Sequence, residues 1–145
     1  MLKIKIVNKS SYSLPRYQTS GSAGMDVFCN EELQLALLPL ERKLIPTGIF
    51  LELPDGIEVQ IRPRSGLAIK QGLTLLNSPG TIDSDYRGEI KIILINLSNE
   101  TQLIKPGDRI AQLVFAKYEK ITWEQVDNLS ESERGEGGFG HTGKK

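Results

Sequence analysis

The sequence predicts an all-β protein with one short helix, arranged as a sandwich, a jelly roll or a related barrel. Short apolar or β-branched segments recur along the chain, and clusters of turn residues separate them. Residues 2–7 follow a period of two, with lysines at positions 3 and 5 between the apolar Leu2, Ile4 and Ile6, which is typical of a half-buried strand. Many short strands at this spacing are typical of layered or closed antiparallel folds.

The elements follow in order from these patterns. The predicted strands are residues 2–7, 25–29, 33–38, 43–53, 57–61, 89–97, 102–104, 110–115 and 121–126. Turns are predicted where proline, glycine, asparagine and aspartate cluster, at residues 46–48, 54–56, 79–80, 99–100 and 106–108. Only residues 65–71 have the pattern of a helix, about two turns long.

The length of 145 residues indicates a single domain, which we place at residues 1–126. Residues 127–145 differ in composition and form a separate C-terminal arm. They contain two large apolar side chains, Leu129 and Phe139, among Ser, Glu, Gly and Lys. Such a segment buries too little apolar surface to offset its conformational entropy, so we expect a flexible arm.

Charge and cysteine content exclude several classes of function. The 18 basic residues equal the 18 acidic ones, which argues against a sequence-independent nucleic-acid binder. The single cysteine, Cys29, excludes an intramolecular disulfide and a cysteine-based zinc site, and we expect it to be a buried filler. No apolar run approaches the roughly 18 residues of a membrane span, and residues 1–7 lack a signal-peptide pattern. We therefore expect a cytoplasmic protein with no membrane partner.

The arm contains a glycine-rich segment, residues 135–140, that satisfies the pattern G-x-G-x-x-G. A dinucleotide-binding interpretation requires a strand before it, a helix after it and a distant acidic residue, and only five residues follow. A flexible tail is the ordinary interpretation of this composition. Arg134 and Phe139 nevertheless provide a phosphate-binding guanidinium and a stacking ring, which together could close over an anion attached to a flat base.

A second candidate segment, residues 62–68, combines basic and hydroxyl side chains at the start of the predicted helix. Arg64, Ser65 and Gly66 open its first turn, where unpaired N–H groups favour phosphate. An equally simple interpretation is a serine N-cap flanked by surface arginines.

The third candidate segment, residues 77–89, places two acidic residues and a tyrosine among turn residues. Asp83, ionised at neutral pH, could orient and deprotonate a water molecule, while main-chain groups read the edge of a base. The alternative is a polar hairpin without a catalytic role. Residues 23–26 and 107–113 complete the set, and each alone would be a turn followed by a strand.

Taken together, five segments resemble the five motifs of the trimeric deoxyuridine triphosphatases (dUTP pyrophosphatases, dUTPases), in the same order and spacing. These are residues 23–29, 62–68, 77–89, 107–115 and 134–143. The resemblance implies a distorted jelly roll and a homotrimer with active sites at subunit interfaces. It also implies Mg²⁺-dependent hydrolysis of dUTP to dUMP and pyrophosphate, which keeps uracil out of DNA and supplies dUMP for thymidylate synthesis.

The resemblance also implies roles for individual residues. Asp83 would be the general base that activates water for attack on the α-phosphorus, and Asp26 would support the catalytic site and the metal–nucleotide geometry. Tyr86 would lie against the deoxyribose and leave no room for a ribose 2′-hydroxyl. Uracil and the sugar would be bound by Asn77, Gly80, Thr81, Ile82, Asp83, Tyr86, Lys91 and, by stacking, Phe139, with main-chain groups of a hairpin over residues 80–91 reading uracil. The phosphates would be held by Arg64, Ser65, Gly66, Gln112, Arg134, Gly140, His141 and Thr142.

One position departs from the family pattern. His141 stands where the family commonly has a serine whose hydroxyl bonds the terminal phosphate. We expect its backbone N–H to take over this contact while the ring stays in solvent. The sequence contains no compact set of metal ligands, which agrees with Mg²⁺ arriving on the substrate phosphates.

Two alternative functions differ in their products. A dCTP deaminase of related fold would need a glutamate in the strand after the third motif, where this chain has Ile93. A nucleotide-sensing protein on the same fold would bind nucleotide without releasing pyrophosphate. Because all five motifs keep chemically capable residues, we favour the hydrolase.

Overall fold

The computed structural model describes residues 2–138, which form two β-sheets, a small ribbon and one short helix. The elements are β1 (Lys5–Asn8), β2 (Gly24–Phe28), β3 (Leu35–Leu37), β4 (Arg42–Glu52), β5 (Ile57–Arg62), α1 (Ser65–Gln71), β6 (Leu73–Leu75), β7 (Gly80–Ile82), β8 (Glu89–Asn96), β9 (Gln102–Ile104) and β10 (Arg109–Lys117). None of the helical structure in residues 2–138 is long and apolar enough to cross a membrane.

The strands form two four-stranded antiparallel sheets, with the orders β1-β4-β8-β6 and β2-β10-β5-β7. Strands β3 and β9 form a separate two-stranded ribbon. Alternate residues of each sheet face a common apolar core, as Val59 and Ile61 do in β5. Burial of this apolar surface is the main stabilising term for such a sandwich. The predicted all-β, jelly-roll-like fold is confirmed.

A bulge in β4 shifts the register of its pairing with the start of β8. Its centre is Thr47, which is buried and donates a hydrogen bond from Oγ1 to the carbonyl oxygen of Ile90, 2.6 Å away. The next residue, Gly48, has φ of +70°, and a Cβ there would lie 2.8 Å from the backbone nitrogen of Ser10. Only glycine fits this conformation and this space, so the bulge requires glycine at position 48.

The predicted helix is confirmed with the same bounds, Ser65–Gln71. The preceding residue, Arg64, is extended, and Gly72 ends the helix in the left-handed region with φ of +63°. The Gly72 N–H donates to the carbonyl oxygens of Ala68 and Leu67, a common glycine C-cap. Leu67 packs partly against the core, whereas the start of the helix stays exposed.

Two details of the predicted secondary structure are wrong. Residues 121–126 alternate like a strand, but within the described chain they pair with no strand and are exposed, Trp123 to 92%. The three-residue strands β6 and β7 were not predicted, because each is too short to show a period of two. Regular structure ends at Lys117, and the domain boundary at residue 126 stays a prediction.

The expected hairpin over residues 80–91 is also wrong. Strand β7 pairs with β5, with Ile61 opposite Gly80, whereas β8 pairs with β4 and β6 in the other sheet. The segment between them therefore crosses from one sheet to the other. This crossing separates Lys91, on β8, from the residues of β7.

The single cysteine occupies the core, as predicted. The Cys29 side chain is fully buried, and burial raises the pKa of its thiol. A buried thiol with a raised pKa is a poor nucleophile, so its contribution is to packing.

Candidate active site

A carboxylate on β2 holds two arginines from distant parts of the chain. Asp26 accepts a hydrogen bond on Oδ1 from Nε of Arg64 at 3.0 Å and one on Oδ2 from Nη1 of Arg109 at 3.3 Å. Arg64 also donates from Nη1 to the carbonyl oxygen of Arg109, 3.0 Å away. Only 18% of the Asp26 side chain is exposed, so these charge-assisted bonds are partly shielded from water. Two guanidinium groups around one carboxylate leave one positive charge in excess.

Strand pairing brings the fourth motif beside the first and second. Gln112 on β10 lies opposite Asp26 on one side and Arg62 on the other. Its Nε2 donates to the carbonyl oxygen of Pro63 at 2.9 Å, which orients the amide beside the start of α1. On β2, Gly24 faces Gln112 so closely that a Cβ there would clash with its amide oxygen. Strand pairing and these hydrogen bonds thus bring together Asp26, Arg64 and Gln112, three of the candidate residues.

The start of α1 lies next to this cluster and is open to solvent. Ser65 is the first helical residue and Arg64 is the N-cap, so the alternative of a serine N-cap is wrong. The Ser65 hydroxyl makes no hydrogen bond to the described residues. A Cβ added to Gly66 would meet no atom within 4 Å, so the main chain there can be approached closely.

The base-reading candidates line the opposite edge of the same sheet. Gly80, Thr81 and Ile82 form β7, whose partners on β5 run from Ile61 back to Val59. The exposed Asn77 approaches this strand, and a Cβ on Gly80 would lie 3.1 Å from its Nδ2. Because Gly80 has no side chain, the amide of Asn77 lies close to the main chain of β7. The amide and the main chain together could bind the edge of a base.

A tight turn after β7 carries Asp83 and Tyr86. The Tyr86 N–H donates to the carbonyl oxygen of Asp83 at 3.2 Å, and Nη1 of Arg87 donates to the carbonyl oxygens of Ser84 and Tyr86. Asp83 is exposed and faces a cavity of about 540 Å³ with Asp55 among its other lining residues. Within residues 2–138 its carboxylate accepts no hydrogen bond and forms no ion pair, so its lone pairs are available.

Within one chain, the Asp26 cluster and Asp83 are far apart. Strands β2 and β7 are the two edges of their sheet, three strand spacings or about 14 Å from each other. The cavity beside Asp26 and the cavity beside Asp83 share no lining residue. Lys91 lies on the other sheet, where its Nζ is 3.8 Å from a carboxylate oxygen of Glu89. The chain therefore presents these two groups of candidate residues on two separate surfaces.

The described part of the arm contacts itself. Nε of Arg134 donates to the carbonyl oxygen of Gly137 at 2.6 Å, and Gly135 adopts φ of +52°. Every hydrogen bond that residues 119–138 make within the described chain is internal to the arm. The remaining candidates of this motif, Phe139, Gly140, His141 and Thr142, lie outside the described residues.

Sequence reasoning missed one residue of the cluster. Arg109 lies in the fourth motif, one position after Asp108, and only Gln112 was predicted there as a phosphate ligand. A basic residue at the first position of a strand next to a motif is a weak signal, because surface strands often begin with one. Its pairing with Asp26, 83 positions away, becomes visible only when β10 is placed beside β2.

Comparison with known proteins identifies the family of the chain. Residues 10–143 match the dUTPase family model. The chain is 58% identical over 142 residues to a deoxyuridine 5′-triphosphate nucleotidohydrolase of Finegoldia magna, covering 98% of this chain and 99% of the relative. A relative of the same name in Fusobacterium nucleatum is 54% identical over 143 residues, covering 99% and 98%. The structure of the Staphylococcus bacteriophage 80alpha dUTPase with dUPNHPP superposes with a TM-score of 0.85 at 28% identity, covering 99% of both chains. The chain belongs to the dUTPase family.

Proposed function

We propose that the protein hydrolyses dUTP to dUMP and pyrophosphate. Water attacks the α-phosphorus, its proton passes to the carboxylate of Asp83, and the bond from the α-phosphorus to the bridging oxygen breaks, so pyrophosphate leaves. The relatives named deoxyuridine 5′-triphosphate nucleotidohydrolase support this reaction, because they match nearly the whole chain. The observation that carries the assignment of the base is the exposed and unengaged carboxylate of Asp83 in the turn that also holds Tyr86.

The arginine cluster suits the triphosphate. Arg64 and Arg109 are pre-oriented by Asp26, so little rotamer freedom is lost when a phosphate binds. Ser65, Gly66 and Gln112 border the same surface. Substitution at phosphorus depends mostly on positioning and charge stabilisation, which guanidinium groups held in place supply.

The edge of the sheet at β7 suits the nucleoside. Asn77 and the main chain of Gly80–Ile82 offer donors and acceptors for uracil. Tyr86 would lie against the deoxyribose. The crossing of residues 80–91 leaves Lys91 on the other sheet, and its proposed contact with the nucleoside stays a prediction.

We infer that the active unit is a homotrimer in which the two halves of the site come from different subunits. The strand order supports this arrangement, because β2, which carries Asp26, lies about 14 Å across the sheet from β7, which leads into Asp83, so one α-phosphorus would not lie near both in one chain. An arm without hydrogen bonds to its own domain could supply Arg134 and Phe139 to a neighbouring subunit.

The site fits a magnesium ion carried by the nucleotide. Within residues 2–138, no group of three or more His, Cys, Asp or Glu side chains is placed to hold a metal ion. Mg²⁺ commonly binds through one or two carboxylates, water and substrate phosphates. Asp26 is the carboxylate beside the proposed phosphate site, and each of its oxygens keeps a second lone pair for a metal-bound water. When bound, the ion neutralises charge on the phosphates.

A pyrophosphate-release assay with dUTP, UTP, dTTP and dCTP tests the base, the sugar and the reaction class together. We expect release from dUTP and little from the other three. Ammonia from dCTP would instead identify a deaminase, which Ile93 in the middle of β8 argues against. Nucleotide binding without pyrophosphate release would identify a sensing protein. Omission of Mg²⁺ from the same assay tests the cofactor.

A further inference from the structure

The ring of Tyr86 lies on a glycine two positions further along the chain. A Cβ built on Gly88 would lie 2.5 Å from Cζ and 2.9 Å from Cε2 of the ring, and closer still to the hydroxyl oxygen. Real Cβ atoms do not approach other heavy atoms this closely. Any side chain at position 88 would therefore displace the ring, although the backbone of Gly88 does not itself require glycine.

The hydroxyl of the same tyrosine is fixed at the start of β8. Tyr86 Oη donates a hydrogen bond to the carbonyl oxygen of Glu89 at 3.0 Å. The carboxylate of Glu89 in turn accepts the N–H of Gly48 at 2.8 Å, inside the bulge of β4. The far end of the ring is thereby tied to a main-chain bulge that the buried Thr47 holds in place.

We propose that Gly88 and Glu89 are positioning residues that set the Tyr86 ring as the wall against a ribose 2′-hydroxyl. The inference rests on the proposed function, because it assigns these residues to the sugar site of dUTP hydrolysis. Gly88 makes room for the ring on one side, and Glu89 holds its hydroxyl through the main chain.

Selection against a hydroxyl by a steric wall requires that the wall stay in place. Tyr86 is 44% exposed, so solvent on that side does not restrain its ring. A displacement of about 1 Å is enough to change how a substrate is held. The contacts with Gly88 and Glu89 are on the ring and the hydroxyl, so together they restrain the part of the side chain farthest from the main chain.

The test is a double-mutant cycle on positions 86 and 88. Gly88→Ala, Tyr86→Ala and the double variant are compared with the wild-type protein as full-length chains. For each, kcat and KM are measured with dUTP and with UTP, and folding is checked by thermal unfolding. Gly21→Ala is the matched control, since a Cβ there meets no atom within 4 Å.

We expect Gly88→Ala to lower the ratio of kcat/KM for dUTP to that for UTP by about tenfold, mostly through a lower KM for UTP, because the displaced ring no longer excludes the 2′-hydroxyl. In the Tyr86→Ala background the same substitution changes the ratio by less than about twofold, because the ring it acts on is gone. Gly21→Ala retains the wild-type ratio. If Gly88 had only a structural role, Gly88→Ala would lower kcat/KM for both nucleotides. In the double variant this loss would multiply with the loss caused by Tyr86→Ala.

Two results would overturn the inference: a folded Gly88→Ala protein with the wild-type ratio, or independent, multiplicative effects in the double variant. If Gly88→Ala does not fold, Tyr86→Phe serves instead, because it removes the bond to Glu89 and keeps the ring. We then expect the ratio to fall by about threefold, and an unchanged ratio overturns the inference. If the wild-type protein releases no pyrophosphate from dUTP, the proposed function itself is wrong. If the wild type is active and the variants give either of the two results above, only the positioning role of Gly88 and Glu89 is wrong.

Discussion

The two aspartates of the proposed site have opposite surroundings. Asp26 is half-buried, and both of its oxygens accept hydrogen bonds from guanidinium groups, at 3.0 Å from Arg64 and 3.3 Å from Arg109. Asp83 is exposed in a turn, and within residues 2–138 its carboxylate has no hydrogen-bond partner. The first carboxylate organises cations, and the second has lone pairs free for the proton of a water molecule.

This difference predicts separate roles for Asp26 and Asp83. A carboxylate engaged by two cations stabilises their positions, and both of its oxygens already accept hydrogen bonds. A free carboxylate in a turn fixed by main-chain hydrogen bonds has a defined direction and an open acceptor. Proton transfer should therefore depend on Asp83, and phosphate binding on Asp26.

Asp83→Asn gives the largest effect that we expect. An amide of the same shape cannot take the proton of the attacking water, so turnover falls by about 10⁴-fold while dUTP still binds. Pyrophosphate release measures the first quantity and calorimetric titration with dUTP in the presence of Mg²⁺ measures the second. Asp85→Asn, two residues further along the same turn, is the control and keeps turnover within about twofold. Equal losses in the two variants would remove Asp83 from the mechanism.

Removal of the arm tests the part of the site that neither aspartate touches. Truncation after Leu129 deletes Arg134 and the rest of the fifth motif, and we expect turnover to fall by about 10²-fold. The folded trimer should remain, because residues 119–138 make no hydrogen bond to the domain within the described chain. Arg134→Ala in the full-length chain separates loss of the guanidinium from loss of the segment. Size-exclusion chromatography with light scattering measures assembly, and dissociation on truncation would make the arm structural.

The fold was largely predictable because its signals are local. The helix Ser65–Gln71 and the strand Gln102–Ile104 have the predicted bounds, since flanking turn residues mark both. Residues 121–126 show the limit of this reasoning: their alternation indicates a strand, but pairing is a long-range property that a local pattern does not contain. The same limit explains the hairpin that was predicted over residues 80–91, because β7 and β8 pair with partners far away in the chain.

The motifs predicted residues of the candidate site, but they did not predict the contacts between them. The motifs identified Asp26 and Arg64, which the structure joins across 38 positions. No sequence pattern indicated that Arg109 also binds the carboxylate of Asp26 or that the ring of Tyr86 packs on Gly88. These are contacts between side chains of different elements, and they follow from the packing of the sheets.

Asp26→Asn should affect binding more than chemistry. The amide accepts only through one oxygen and its NH₂ group repels a guanidinium, so one of the two arginines loses its anchor. We expect KM for dUTP to rise by about tenfold, with kcat reduced less. Steady-state kinetics at saturating Mg²⁺ measure this split. A loss in kcat as large as that of Asp83→Asn would contradict the division between the two aspartates.

The smallest effect separates the two arginines on Asp26. Arg64 lies 3.0 Å from the carboxylate with 30% of its side chain exposed, whereas Arg109 lies at 3.3 Å with 47% exposed. Arg64 also donates from a second nitrogen, Nη1, to the carbonyl oxygen of Arg109, and lysine has only one nitrogen in place of this planar pair of donors. Arg64→Lys should therefore raise KM for dUTP by about fivefold, and Arg109→Lys by about twofold, since a half-exposed ion pair contributes little. The order of the two effects is the test: a larger loss from Arg109→Lys would mean that the more exposed guanidinium meets the phosphates directly and that Arg64 mainly holds it in position.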